Sequence, residues 1–156
     1  MEKQFEIRRY EGDIVDLYEF VMISAFFKTP EAARRLLSFE VPKGTAYFVA
    51  YEGEVQAGAV GIYVDEDLEV RSLEPAQVID LAVKPEFRRR GLAKLLMDKA
   101  EEYAKSKGCD RIWLYTGGEN VPAMTSYEKM GFKVCGSIPE YWGKGTTKAF
   151  LSKNLA

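Results

Sequence analysis

The chain has 156 residues, with 22 Lys and Arg against 24 Asp and Glu, and its net charge of −2 lacks the broad positive field that nucleic-acid binding usually needs. Hydrophobic residues make up 47% and charged residues 29% of the sequence, which is typical of a globular protein, and the length predicts a single domain over residues 1–156. The sequence has no histidine, which excludes Ser-His-Asp and Cys-His catalysis and metal sites that need imidazole, so we expect no bound metal.

The cysteines and the apolar runs bear on the cellular compartment. Cys109 and Cys135 are too few for a disulfide framework and lack CxxC spacing, which is typical of a reducing, intracellular setting. The first residues are too charged for a signal peptide. The most apolar run, Phe20–Phe27, is shorter than the roughly 20 residues that span a bilayer. We therefore expect a soluble, cytoplasmic protein without a membrane partner.

The first half of the chain predicts one strand, two helices and a β-hairpin, from alternating and helical spacing of apolar residues. The predicted bounds are a strand at 5–10, a helix from Asp13 to about Phe27, a helix from Pro30 to the Pro42-Lys43-Gly44 turn, and strands over Thr45–Tyr51 and Val55–Val64. The short turn between the last two runs favours antiparallel pairing.

The second half of the chain predicts a β-α-β unit followed by a short helix and a strand pair. The predicted bounds are a strand at Ala76–Val83, an amphipathic helix from Leu92 to Gly108, and a strand at Arg111–Thr116, then a helix from Asn120 to Met130 and strands at Phe132–Ile138 and Thr147–Leu151. The two strands of the β-α-β unit should be parallel. The whole order indicates an α/β (α+β) fold, in which a mixed, mostly antiparallel central sheet has helices on both faces.

A basic turn precedes the amphipathic helix and has the properties of an anion site. The free N–H groups and the positive dipole end of the helix attract an anion, and Arg88, Arg89 and Arg90 add charge. Gly91 lets the backbone approach a phosphate closely. The same pattern is also typical of a solvated turn at an ordinary helix start, so the turn alone does not decide between the two interpretations.

A dinucleotide-binding Rossmann domain would also place a helix N-terminus on a pyrophosphate, but it needs Gly-x-Gly-x-x-Gly after an early strand. The sequence contains no such run. The glycines of Gly58-Ala59-Val60-Gly61 lie inside a predicted strand, where they indicate close packing or a bulge.

Two blocks of the sequence resemble the GNAT-type N-acetyltransferase superfamily. Arg88-x-x-Gly91-x-Ala93 is similar to the acetyl-CoA motif Arg/Gln-x-x-Gly-x-Gly/Ala, and it follows a strand that ends in Leu81-Ala82-Val83-Lys84-Pro85. Asn120-x-x-Ala123-x-x-x-Tyr127, continued to Gly131-Phe132, is similar to a second family segment. The two blocks occur in the family's order, and the element order along nearly the whole chain also fits. The resemblance therefore implies a GNAT-like acyl-CoA N-acyltransferase fold.

The resemblance implies that acetyl-CoA is the co-substrate and assigns residues to it. The implied cofactor-binding residues are Leu81, Ala82, Val83, Arg88, Arg89, Arg90, Gly91, Leu92, Ala93, Asn120 and Ala123. The backbone of Leu81 and Val83 would pair with the pantetheine arm, and an amide N–H near Leu81 would stabilise the thioester oxygen. Asn120 has a second interpretation as an ordinary helix cap.

The implied reaction moves an acetyl group from a thioester to an amine. Tyr127 is the implied general acid, with a core-packed helix tyrosine as the structural alternative. An alkylammonium has a pKa of about 10 and must lose a proton before it attacks. Gln77 occupies the position where many relatives have a glutamate base, so the base is left open among Asp80, Glu74 and a water chain.

The sequence does not define the acceptor, and both small amines and protein N-termini are open. The aromatic residues that could line its pocket are Tyr18, Phe26, Phe27, Tyr141 and Trp142, with Glu140 suited to a cationic amine. The family resemblance also makes a homodimer an expectation to be tested. Two other functions stay open: a non-catalytic acyl-CoA-binding or regulatory module, which the missing glutamate favours, and a protein-interaction scaffold.

Overall fold

A seven-stranded sheet forms the centre of the part of the chain that the structure describes. The computed structural model describes residues 5–17, 20, 31, 41–66 and 74–155. The strands are β1 (Glu6–Arg9), β2 (Ala46–Glu52), β3 (Val55–Tyr63), β4 (Ala76–Val83), β5 (Arg111–Gly117), β6 (Lys133–Pro139) and β7 (Thr147–Asn154). The helices with complete bounds are α1 (Leu92–Ser106) and α2 (Val121–Lys129), and a 3-10 turn covers Pro85–Phe87.

The strand order across the sheet is β1-β2-β3-β4-β5-β7-β6. Every neighbouring pair is antiparallel except β4 and β5, which are parallel. The expected mixed, mostly antiparallel sheet is therefore confirmed. The order also shows that β7 inserts between β5 and β6, a placement that the sequence did not specify. As a result β6 is an edge strand, and all of its residues are exposed.

Helical residues cover both faces of the sheet, as predicted. In β2, Phe48 packs into the cluster that contains the apolar side of α1, while the next residue, Val49, packs into a second cluster with Leu17. This alternation follows from the two-residue period of a strand. Leu17 belongs to a helical segment at residues 14–17. The predicted second helix from Pro30 lies outside the described residues, apart from Glu31, which is helical.

The helix α1 forms because apolar residues recur every three or four positions and produce one continuous apolar face. Its buried residues are Leu92, Leu96, Met97, Ala100 and Ala104. The helix packs against β2, β3 and β4. It ends where Gly108 adopts a left-handed conformation (φ 88°), as the sequence predicted.

The strand β4 contains a bulge near its carboxyl end. Ala59 of β3 pairs with Ala82, whereas Gly61 pairs with Ile79, so two residues of β4, Asp80 and Leu81, lie opposite one residue of β3. Asp80 has φ 54°, a left-handed conformation that is uncommon for residues other than glycine. A bulge leaves one residue out of the ladder and bends the strand.

The parallel pairing of β4 with β5 is short. Its register contains Ala76 opposite Ile112 and Gln77 opposite Trp113, and no further pairs. Beyond Gln77 the two strands diverge, because the rest of β4 keeps its pairing with β3 while β5 continues along β7. The divergence opens the middle of the sheet at the carboxyl ends of β4 and β5, next to the bulge.

Candidate functional site

A pocket of about 740 Å³ lies between the basic turn, the start of α1 and the start of α2. Its lining residues are Val83, Phe87, Arg88, Arg89, Gly91, Leu92, Ala93, Lys94, Asn120, Pro122, Ala123, Ser126, Lys129 and Met130. Most of the residues predicted to bind the cofactor are among them. The structure therefore brings the two motif blocks together in space, although a stretch of 26 residues separates Ala93 from Asn120 in the sequence.

The N-terminus of α1 supplies backbone donors to this pocket. Gly91 is the N-cap residue, with φ 76°, and no described side chain caps the helix. The N–H groups of the first helical turn have no acceptor within the helix, and the helix dipole adds positive potential at the same end. A Cβ at Gly91 would meet no atom within 4 Å, so the glycine is required by its backbone conformation and not by crowding.

The three arginines of the turn have different surroundings. Arg88 donates from Nε to the carbonyl oxygen of Val83 at 3.2 Å, and it lines the pocket together with Arg89. Arg89 has φ 62°, a second left-handed residue two positions before Gly91. Arg90 does not line the pocket: its guanidinium pairs with Glu52.

Arg90 also has an aromatic environment. Its guanidinium carbon lies 4.7 Å from the ring centroid of Phe5 and 5.7 Å from that of Phe87. These contacts hold the side chain towards the β1 and β2 half of the sheet. In this structure the guanidinium of Arg90 fastens the turn to the sheet, and its predicted contribution to the anion site stays a prediction.

Asn120 and Ala123 begin α2 at the pocket. The Oδ1 atom of Asn120 accepts a hydrogen bond from the backbone N–H of Ala123 at 3.2 Å, which is an N-cap contact. Asn120 thus caps the helix and lines the pocket, which agrees with both interpretations offered by the sequence. Ser126 also lines the pocket. Its spacing of three from Ala123 places both residues on one helix face. This spacing is the sequence pattern that indicates Ser126 as a further pocket residue.

Tyr127 of α2 lies near Asp80 of the β4 bulge. Burial, and after it the negative charge of Asp80, raises the pKa of the Tyr127 phenol to about 12. The ring packs against the core and stands edge-on to Phe132, with 6.0 Å between ring centroids. The phenol is therefore neutral through the physiological pH range. The two residues predicted to be catalytic are therefore near enough for the charge of Asp80 to act on the phenol, and Asp80 lies beyond the last pair of β4 with β5.

The remaining predicted residues of β4 have separate positions. Val83 lines the pocket, whereas Leu81 and Ala82 do not. Leu81 packs against the α1 side of the sheet, and Ala82 is buried in the cluster on the opposite face. The side chain of Ala82 is therefore directed away from the pocket, and only its backbone is left for the predicted contact.

The other residues considered for proton transfer lie at the opposite end of β4. Glu74 is exposed and precedes the strand, and at about 3.3 Å per residue it lies roughly 20 Å from Asp80 along the chain direction. Gln77 pairs with Trp113 where β4 and β5 still form a ladder. Of these three residues, only Asp80 lies beside Tyr127 at the opening.

Two of the five predicted aromatic residues lie in the described part of the chain. Tyr18, Phe26 and Phe27 lie outside the described residues. Tyr141 and Trp142 lie in the turn between β6 and β7, with 5.1 Å between ring centroids, and both are about half exposed (49% and 47%). Their rings therefore remain partly open to solvent.

The sequence model of the acetyltransferase (GNAT) family matches residues 13–132, a range that contains both motif blocks and the whole pocket. This chain belongs to the GNAT acetyltransferase family. The resemblance predicted from the sequence is thereby confirmed. The match includes Asp80, Tyr127 and the α1 N-terminus, so the family pattern and the geometry of the pocket indicate the same region of the molecule.

Similar proteins and structures include acetyltransferases from several organisms. Human N-acetyltransferase 8 is 33% identical over 99 residues, which are 64% of this chain and 43% of that protein. The structure of the ribosomal-protein-S18-alanine N-acetyltransferase from Escherichia coli is 18% identical with a TM-score of 0.78, over 97% of this chain and 94% of that one. A GNAT family acetyltransferase from Elizabethkingia anophelis with acetyl-CoA bound is 15% identical, with a TM-score of 0.74 over 98% and 99% of the two chains.

These similarities support the fold and the family to different extents. The two structures are under 25% identical and show that this GNAT chain has the same fold. The chain spans less than half the length of the human relative that it matches, at 43%. No helix among the described residues is both long and apolar enough to cross a membrane.

Proposed function

We propose that this GNAT protein is an acetyl-CoA-dependent N-acetyltransferase that moves the acetyl group from the CoA thioester to a primary amine. The observation that carries the proposal is the position of one pocket, which extends from the N-terminus of α1, where no described side chain caps the helix, to α2, the helix whose Tyr127 feels the charge of Asp80. Acetyl-CoA would supply the activated acyl group. Family membership and the acetyl-CoA-bound structural neighbour support this choice.

The residues of the pocket fit the diphosphate of CoA. The free N–H groups of α1 at Gly91, Leu92 and Ala93, together with Arg88 and Arg89, provide donors and positive charge for an anion. The volume of about 740 Å³ lies within the roughly 300–1,000 Å³ of small-molecule pockets. Asn120 and Ala123 would contact the cofactor from α2.

The opened edge of β4 would hold the pantetheine arm. Beyond Gln77, β4 pairs with no described residue on its β5 side, so the groups at Leu81 and Val83 on that edge are available to an extended ligand. The bulge at Asp80 turns the backbone at the same place. In the proposal, an N–H of this segment stabilises the thioester oxygen as negative charge develops on it.

Tyr127 would act as the general acid. A pKa of about 12 keeps the phenol protonated, so that it donates a hydrogen bond to the sulfur as the C–S bond breaks and the new C–N bond forms. Because a thiol has a pKa of about 8.5, complete transfer from Tyr127 to the thiolate is uphill by itself. We therefore assign completion of this step to a relay: the nitrogen becomes positively charged again when the C–N bond forms, and the second proton that it then loses passes to the phenolate, directly or through water.

Asp80 would accept the proton that the incoming ammonium must lose, directly or through water. Its carboxylate is the charge that acts on Tyr127, which supports a role for Asp80 near the reacting atoms. The position of Glu74 before β4, far from Asp80 along the strand, favours Asp80 over Glu74 for this role. A water chain without a single base remains the second route in the proposal, and Asp80→Asn separates the two routes.

The acceptor would be a small amine or a protein N-terminus. The structural neighbour named for ribosomal protein S18 alanine acts on a protein, and the chain shares its fold. From the family resemblance we also propose a homodimer as a state to be tested. From the composition and net charge we expect a soluble protein that does not bind nucleic acid. These are expectations about the whole protein, because the chain matches only part of the length of its human relative.

The proposal is tested by separate measurements of binding and turnover. Acetyl-CoA should raise the melting temperature, and thiol release should follow when a panel of amines is added. If saturating acetyl-CoA leaves the melting temperature unchanged, the cofactor assignment is wrong. If acetyl-CoA binds but none of the panel is acetylated, the non-catalytic acyl-CoA-binding module that Gln77 favours becomes the better description.

A further inference from the structure

Lys148 of β7 lies among four aromatic rings. Its Nζ atom is 3.9 Å from the ring centroid of Tyr115 and 4.2 Å from that of Tyr141. The rings of Phe150 and Trp142 are 5.6 and 5.9 Å away. We call these five residues the aromatic cluster. Distances within about 6 Å of a ring centroid allow attraction between a cation and the ring quadrupole, so the rings hold the ammonium in a defined place.

The aromatic cluster borders the opening of the sheet from the face opposite α1. In β5, Ile112 and Leu114 are buried in the cluster that contains α1, and the alternation of the strand places Tyr115 on the other face. Tyr115 pairs with Phe150, and Lys148 pairs with Gly117 at the carboxyl end of β5. This is the part of β5 that no longer pairs with β4.

The cofactor pocket and the aromatic cluster therefore lie on opposite faces of one opening. The pocket is formed by the starts of α1 and α2, which contribute Gly91 and Asn120. The cluster is formed by β5, β7 and the turn between β6 and β7. If acetyl-CoA occupies the pocket, an acceptor must approach the thioester from the remaining side, which brings it past Lys148.

The charge of Lys148 has no counter-ion in the described part of the chain. No described carboxylate forms an ion pair with it, including that of Glu140 in the adjoining turn. Aromatic faces attract an ammonium group, but they do not neutralise it or accept strong hydrogen bonds from all of its N–H groups. The cluster therefore presents a fixed positive charge, which a negatively charged group of a ligand would complement.

We infer that Lys148 selects an acceptor that carries an acidic group, such as a carboxylate, in addition to the amine that is acetylated. This inference rests on the proposed function and names its substrate class. An aromatic cage without the lysine would favour a cationic ligand, but here the ammonium of Lys148 already occupies the cage, and a polycationic amine would meet like charge. The positive charge also lowers the pKa of a nearby amine and thereby favours its reactive neutral form.

The experiment compares matched acceptors that differ in one charge. The probes are glycylglycine, its C-terminal amide and the polyamine spermidine, tested with the wild-type protein and with Lys148→Met. Lys144→Met, in the exposed turn between β6 and β7, is the control variant. Turnover gives kcat/KM, and the melting temperature in the presence of CoA gives acceptor binding without turnover.

The wild-type protein should prefer glycylglycine over its amide by at least about tenfold in kcat/KM, the order expected for a hydrogen bond to a charged group. In Lys148→Met the KM for glycylglycine should rise, so that the preference over the amide is lost. Lys144→Met should retain the preference. The dipeptide, and not its amide, should raise the melting temperature of the wild-type protein with CoA.

Three results would overturn the inference: equal binding of the acid and the amide, preference for spermidine, or an unchanged preference in Lys148→Met. Absence of any binding by the dipeptide counts against it in the same way. Failure of the proposed function has a different signature, because it would appear as loss of acetyl-CoA binding or of turnover with every amine, whatever residue is at position 148.

Discussion

Arg90 pairs with Glu52 across 38 positions of sequence and fixes the basic turn to the end of β2. The arginine lies directly before Gly91 at the start of α1, yet it is absent from the lining of the pocket that its two neighbours line. The three consecutive arginines therefore make two kinds of contact. Arg88 and Arg89 supply charge at the pocket, and Arg90 holds the loop in position.

The first prediction separates these roles. Arg89→Gln should weaken acetyl-CoA binding by about tenfold, since it removes a charged donor from the pocket. Arg90→Gln should weaken binding less and should lower the free energy of unfolding by about 1 kcal/mol, because its ion pair is partly exposed. Calorimetry and urea denaturation measure the two effects. Lys105→Gln at the far end of α1 is the control, and equal loss of binding in all three variants would mean that only bulk charge matters.

The second prediction concerns Tyr127. Tyr127→Phe keeps the ring packing against Phe132 and removes the phenolic proton. The turnover number should fall by about 100-fold, at the lower end of the range for general acids, while the dissociation constant of acetyl-CoA stays within about twofold. Tyr103→Phe on α1 is the matched control, because that tyrosine also packs edge-on to a phenylalanine, Phe48, outside the pocket. Full activity in Tyr127→Phe would refute the assigned role.

The third prediction concerns stability at alkaline pH. The pKa of Tyr127 is raised to about 12 in the folded protein, whereas an unfolded tyrosine ionises near pH 10. The stability that comes from this difference is fully present below pH 10 and is lost as the pH rises towards 12, because the unfolded chain releases its proton first. Urea denaturation between about pH 9 and 11.5 should show a shallower decline for Tyr127→Phe than for the wild-type protein. Parallel curves would contradict the raised pKa.

The fourth prediction concerns the support of the β4 bulge. A Cβ at Gly58 would lie 2.7 Å from the carbonyl oxygen of Ala82 and 3.2 Å from Cδ1 of Leu96. Gly58→Ala should therefore lower the free energy of unfolding by about 1–3 kcal/mol. Gly136→Ala on the edge strand β6 is the control, since no atom lies within 4 Å of its Cβ position, and it should change stability by less than about 0.5 kcal/mol. A neutral Gly58→Ala would show that β3 and β4 can separate without cost.

The elements that the sequence predicted well are those whose cause is local. The helix α1 follows from apolar spacing between Leu92 and Ala104, and its left-handed end follows from Gly108. The pairing of β6 with β7 follows from two strand-like runs joined by a short turn. The interior glycines were expected to mark close packing, and the tight approach of Gly58 to β4 agrees with that.

The features that the sequence did not predict depend on residues that are far apart in the chain. Whether Arg90 faces a ligand or the sheet is decided by Glu52, which has no marker in the basic motif. The bulge at Asp80 is a mismatch in pairing with β3, and a single strand does not display its partner's register. The environment of Lys148 requires β7 to insert beside β5, an order that strand patterns alone leave undetermined.

The short contact between β4 and β5 has a mechanical consequence. Among the described residues, backbone pairs at Ala76 and Gln77 alone join the half of the sheet that contains β1–β4 to the half that contains β5–β7, fewer than join any other neighbouring strands. Small rotations of one half against the other therefore disturb little hydrogen bonding while they change the width of the gap. A ligand bound in that gap would contact both halves and restrict their relative rotation. Amide hydrogen exchange in β4 and β5, on the two sides of the gap, would then slow on binding.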